Sequence, residues 1–265
     1  MDDGRWVLRR GAEVTGHVQI VLSQIVDEPA GPGWVPYLTA VTRPGLQSLL
    51  GYVRRAAPGA PDTVAAALFA SSVAAAVAAP LTGALLTERR VPLPVPDGLW
   101  LRPSFTGVDA LGVGAVSLTV LPDDPLPGET VPDLDALRRA ALDGYRALLV
   151  PLMEVVAATT RRGRRALWAD AGDRLATYLL LAGRARGDAA AGRAEADALL
   201  ALAEPPLRHD PAWLEFTHRG RPTLWKRRPV CCLIYQAPTF RGQCCATCPL
   251  VPVAETVERT RAWLG

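Results

Sequence analysis

The chain has 265 residues, 49% of them hydrophobic, and a net charge of +3 at pH 7. That length buries a full core without covalent staples, so its five cysteines are not needed to hold a small scaffold together. Lys226 is the only lysine among 29 basic residues. We read this arginine bias, with the abundant alanine, as residue usage, and no nucleic-acid partner is expected. The opening residues, MDDGRWVLRRGAEV, carry no apolar stretch behind a basic start. No secretory signal is visible, and a reducing, cytoplasmic setting is expected.

Residues 14–26, VTGHVQIVLSQIV, are rich in β-branched side chains but alternate incompletely, and fit a strand or a helix. Gly31, Pro32 and Gly33 make a break. An alanine-rich helix is expected from 61 to 87, with Asp62 as its N-cap and Pro80 interrupting the apolar run. Residues 63–87 carry no charge over a length sufficient to cross a bilayer. Alanine nevertheless outnumbers the strongly apolar residues that drive insertion, so a buried helix with small side chains is the better reading. Peripheral contact with the inner face of a membrane stays open. The three prolines of 89–98 make a connector.

Residues 99–105 and 112–121 look like the strands of a hairpin around the turn TGVDALG. A helix follows at 133–160, capped by Asp133, with Leu134, Leu137, Ala141, Leu148, Leu152 and Val155 recurring at helical spacing. Further helices are expected at 163–183 and 187–203, and short ones at 209–218 and 252–264. The predicted fold class is α+β. A mainly helical body with a small β-hairpin spans residues 1–215, and a cysteine-rich C-terminal metal module spans 216–265.

All five cysteines, at 231, 232, 244, 245 and 248, lie within CCLIYQAPTFRGQCCATCPL, residues 231–250. An odd count in a reducing setting points to metal or redox chemistry rather than a disulfide framework. Zinc sites usually draw two separated C-x-x-C pairs to one tetrahedral ion. Here only Cys245 and Cys248 have that spacing, and the other half is the adjacent pair Cys231 and Cys232. Adjacent side chains in extended backbone point to opposite faces. Two irons offer two attachment points, so the spacing favours an iron–sulfur cluster over zinc. Structural zinc, a dithiol switch and inert buried thiols all stay open at this point.

The stretch RRPVCCLIYQAPTFRGQCCATCPL, residues 227–250, resembles the C-terminal signature of the FhuF-like ferric-siderophore reductases. That signature has a basic residue, a Cys-Cys pair, an aromatic shortly after, a loop, and Cys-x-x-Cys followed by Pro-Leu. The upstream LFASSVAAAVAAPLTGALL, residues 68–86, is also similar to that family's Ala/Leu-rich helix. The resemblance implies a 2Fe-2S cluster on Cys231, Cys232, Cys245 and Cys248, with Tyr235 as the aromatic and Pro249-Leu250 closing. It also implies one-electron reduction of Fe(III) in ferric siderophores, expected to be of the hydroxamate type, with release of Fe(II). The loop 233–244 is longer by two residues than the family's. Cys244 and Cys245 therefore compete as third ligand, and Cys245 keeps the Cys-x-x-Cys spacing.

From Phe216 to Ala254 there is no Asp or Glu. Lys226, Arg227, Arg228 and Arg241 are candidates to stabilise a reduced cluster or to dock an acidic electron donor or an anionic substrate. Trp225 and Tyr235 could stack on a siderophore or shield a cluster. His17, His209 and His218 are scattered, and only His218 is close to the cysteines in sequence. Asp170 and Asp173 are read as surface or capping residues of a helix. No G-x-G-x-x-G opens a helix after a strand and no P-loop is present, so no built-in flavin or nicotinamide site is expected. The electron is expected from a separate ferredoxin or flavoprotein reductase. A zinc-stabilised binding module is the alternative. An iron or redox sensor would need an output element, and no helix-turn-helix is evident.

Overall fold

The structure is a computed structural model that describes residues 3–16, 24–27, 29, 31–56, 58–104 and 107–265. α1 (Asp3–Gly16) is followed by β1 (Gln24–Val26), β2 (Val35–Pro36), α2 (Tyr37–Ala40) and α3 (Arg43–Ala56). The long α4 (Asp62–Glu88) leads into β3 (Val91–Pro94), β4 (Leu99–Ser104), β5 (Gly107–Val113), β6 (Val116–Val120) and β7 (Glu129–Thr130). Then come α5 (Leu134–Thr159), α6 (Arg164–Ala185), α7 (Ala189–Ala201), β8 (Ala212–His218), β9 (Arg221–Arg227) and α8 (Val253–Leu264). The architecture is α+β, mainly helical with small sheets, as the sequence predicts.

α4 is apolar on every side and is buried on every side, with α1, α6 and β5 packed along it. Alanine makes this possible, because a thin helix lets its neighbours approach closely. The closest approach is at Gly11 and Gly83, where a Cβ on Gly83 would lie 2.0 Å from the Gly11 carbonyl oxygen. The helix continues past Pro80, which does not interrupt it. Its most apolar stretch is long enough to cross a membrane, and 83% of that stretch is buried inside this fold. Asp62 is the first helical residue rather than the cap, and it pairs with Arg54 at 2.9 Å. Asp133 does cap α5, accepting from the Ala136 N–H at 2.8 Å.

Two small sheets cover part of this helical core, with strand orders β1-β5-β4-β2 and β3-β6-β7. The expected connector 89–98 contains β3, an edge strand, where prolines cost no ladder hydrogen bond. A hairpin does follow Leu99, but its second strand is β5, most of which is the expected turn TGVDALG, rather than the expected 112–121. The run 112–121 divides after Val113, and its second half pairs with β3 in the other sheet. Of the segment 14–26, residues 17–23 lie outside the described residues; 14–16 end α1 and 24–26 form β1.

The clearest correction is at 209–218, expected to be helical. Ala212–His218 is a strand, paired antiparallel with β9 through a turn at Arg219 and Gly220, both left-handed at φ 49° and 73°. Such a two-residue turn matches the twist of a hairpin, and the Arg-Gly pair disguised it. The expected boundary between 215 and 216 falls inside this strand, and Leu214 and Trp225 join the main core. β9 thereby lies beside α6, and the cysteine loop hangs between β9 and α8.

Gly83→Ala tests the central helix crossing. The clash with Gly11 outweighs the ~1 kcal/mol that alanine gains in helix propensity, leaving a net loss of roughly 1–3 kcal/mol. Urea unfolding followed by circular dichroism measures it. A midpoint equal to the wild type would mean that α1 and α4 do not approach this closely.

Candidate functional site at the cysteine loop

The loop after β9 is built from tight turns, including 3-10 turns at Ile234–Gln236 and Pro238–Phe240. Ala237, fully buried against Ala60 and Val64, pins it to the start of α4. Leu233 sits in the left-handed region at φ 64°, which costs about 1–2 kcal/mol for a side chain of its kind. That twist brings the Leu233 N–H to the Cys231 sulfur at 3.3 Å. The Ile234 N–H donates to the Cys232 sulfur.

The cysteines gather two by two. The Sγ atoms of Cys231 and Cys248 are 3.7 Å apart, and Cys232 lies close enough to Cys245 for each to shift the other's titration. The neighbours Cys231 and Cys232 thus turn to different partners. Cys232 and Cys248 are buried, the other three are half-buried, and all five are free thiols. Cys244 approaches Cys248 rather than Cys232, and its carbonyl accepts from Arg259 at 3.1 Å. Among the described residues, no three His, Cys, Asp or Glu side chains converge as a site for one ion.

The hydrogen bond from Cys245 brings the Cys232 thiol down to about 5 against its burial, helped by Arg228 and the Ile234 N–H. Cys245, as the donor, is pushed up. Burial pushes the Cys231 thiol up to about 11. Arg228 and Cys245 thus favour the thiolate at Cys232, the protonation state that binds metal.

Asp170 and Asp173 are not surface residues. They are 6% and 2% exposed on α6, where Asp170 pairs with Arg228 and Asp173 with Lys226. Burial pushes the Asp170 carboxyl up, but Arg174 and Arg228 together hold it well below the usual carboxylate range. Burial lowers the Lys226 ammonium, opposed by Asp173. Lys226 and Arg228 therefore turn their charges inward. Arg227 clamps the loop, donating to the Pro249 carbonyl at 2.6 Å and the Val251 carbonyl at 2.5 Å. Arg241 is exposed at a left-handed turn.

Trp225 is buried, with the Arg184 guanidinium 4.9 Å from its ring and Trp263 against it at 5.2 Å. Tyr235 is half-buried in its turn, and its hydroxyl accepts from Gln236 at 3.2 Å. His218 is at the tip of the β8–β9 hairpin and lines a cleft that holds no cysteine. His209 packs near Gly172 on α6, and burial lowers its ring below the ordinary histidine value.

Sequence reasoning missed four contributors: Asp170, Asp173, Arg174 and Arg162, whose Nη2 donates to the Cys231 carbonyl at 2.8 Å. The available signal was the position of the two acids, which fall at helical spacing with the buried Leu167 and Ala176.

No protein-family profile matches the chain, and no curated protein matches it. Its chemistry is argued from the site itself.

Asp170→Asn leaves Arg228 and Arg174 without their buried counter-charge and costs roughly 3–5 kcal/mol at pH 7. A carboxyl with a depressed folded value stabilises above its unfolded value of 3.8, and that contribution fades as pH falls below it. The gap between wild type and variant, read from urea midpoints, therefore narrows below that pH. A gap independent of pH would remove the ion pair from the account.

Proposed function

We propose that this chain is a ferric-siderophore reductase in which Cys231, Cys232, Cys245 and Cys248 hold a 2Fe-2S cluster. The observation that carries the reading is that Cys231 lies beside Cys248, at 3.7 Å between sulfurs, while Cys232 interacts with Cys245. Cys231 with Cys248 fits one iron and Cys232 with Cys245 the other. One zinc ion needs all four sulfurs at a single point, so the zinc-stabilised binding module is the less favoured reading. When bound, the cluster supplies transfer of a single electron.

The residues around the sulfurs suit that task. The Leu233 and Ile234 N–H groups donate to two ligand sulfurs, and such bonds favour the more negative, reduced state. Arg162, Arg174, Lys226 and Arg228 bring four positive charges, and Asp170 and Asp173 return only two negative ones. The surplus matches the double negative charge of an oxidised four-thiolate cluster. Ala67, Ala70 and Leu167 stand beside the buried Cys232. Hard Fe(III) prefers anionic oxygen ligands, and Fe(II) binds them far more weakly, so one electron frees the metal without breaking the chelator. The electron comes from a separate ferredoxin or flavoprotein reductase, in the cytoplasm.

Anaerobic purification, with visible and EPR spectra before and after dithionite, tests the reading. Cys231→Ser, Cys232→Ser, Cys245→Ser and Cys248→Ser are each expected to lose most of the red-brown absorption, and Cys244→Ser to keep it. A colourless protein with stoichiometric zinc would refute the cluster. A cluster whose signal survives ferric chelates would refute the reductase.

Arg162→Met removes a cation beside Cys231 and is expected to lower the midpoint potential by on the order of tens of millivolts. An unchanged potential in a spectroelectrochemical titration would show that Arg162 only braces the loop.

A further inference from the structure

A cleft of about 340 Å³ opens between α6, β9, α8 and the turn Cys245–Thr247. Cys245 is the one cysteine in its lining, and Trp225 and Trp263 form an aromatic wall. Trp225 is only 6% exposed and is held in place by Arg184 and Trp263. Trp263 is 48% exposed, so part of its ring is left for a ligand. Arg174, Lys226 and Arg228 line the same cleft, against one acid, Asp173. Three cations against one acid give the lining a positive balance, which favours an anionic oxygen. The volume is at the small end of ligand sites, with room for one ring-bearing arm and not for a whole hexadentate chelate.

We propose that this cleft receives one aryl arm of the ferric chelate, a catecholate or phenolate. Its anionic oxygens meet Arg174 and Arg228 and its ring lies against Trp263, beside Cys245. The inference rests on the reductase reading above and narrows its substrate to chelates with an aromatic arm, in place of the hydroxamate type that the sequence resemblance implies. One electron passes at the Cys245 edge and converts Fe(III) to Fe(II). No bond of the organic chelator breaks, and the external donor replaces the electron.

Gallium(III) chelates bind like ferric ones and resist reduction, so they separate docking from redox chemistry. Equilibrium dialysis of the anaerobically purified protein against a gallium(III) tricatecholate and against gallium(III) desferrioxamine, a trihydroxamate, reads the affinities. The tricatecholate is expected to bind at least about tenfold tighter, a margin of the size that aromatic stacking and charge-assisted bonds supply. Trp263→Ala is expected to lose roughly tenfold for the tricatecholate and Trp263→Phe to recover most of it. Circular dichroism and visible spectra confirm the fold of each variant. Equal affinity for the two chelates, or wild-type binding by Trp263→Ala, would overturn the aryl cleft while leaving the reductase standing. A wild type that binds the tricatecholate but holds no redox-active centre would instead sink the reductase reading.

Discussion

The buried ion pairs between α6 and the end of β9 are the constraint on which the cysteine site depends. Asp170 with Arg228 and Asp173 with Lys226 fasten the strand that launches the loop to the helix beneath it. Charges taken out of water are tolerated only when partners meet them, so a shift of β9 against α6 would leave these charges buried and unpaired. The next fixed point is the Arg227 guanidinium, which holds two carbonyls at the far end of the loop. With both ends tied and Ala237 pinned to α4, the four sulfurs have little choice of position.

Those ties also explain the strain at Leu233. A left-handed leucine costs free energy, and it persists because the surrounding contacts over-determine it. In return the backbone offers two successive N–H groups to two successive sulfurs. The pinned loop therefore presents the adjacent cysteines to opposite partners.

The sequence was most legible where the structure is local. The helices at 62–88, 134–159 and 164–185 follow from composition, periodicity and one aspartate cap. The cysteine run announces itself by clustering alone. It was least legible where partners are far apart. Asp170 and Asp173 pass for ordinary surface acids until β9 arrives 58 and 53 residues later with Arg228 and Lys226. The strand Ala212–His218 has no clean alternation and is held by a turn whose Arg219 adopts a conformation that side chains of its kind rarely favour. The split of 112–121 between two sheets is likewise a tertiary decision, made by β3 rather than by the run itself.

Two neighbouring cysteines, Cys244 and Cys245, leave the spacing ambiguous, and the fold separates them by direction. Cys245 turns toward Cys232 and the cleft, and Cys244 turns toward Cys248, with its carbonyl held by Arg259. The same alternation that parts Cys231 from Cys232 parts this second pair. Each adjacent pair therefore sends one sulfur to each end of the site. The end shared by Cys231 and Cys248 therefore holds three thiols. Cys244 lies where burial raises Cys231, away from the end where Arg228 favours a thiolate. Of the two neighbours, Cys245 is therefore the one beside the thiol that Arg228 favours as a thiolate.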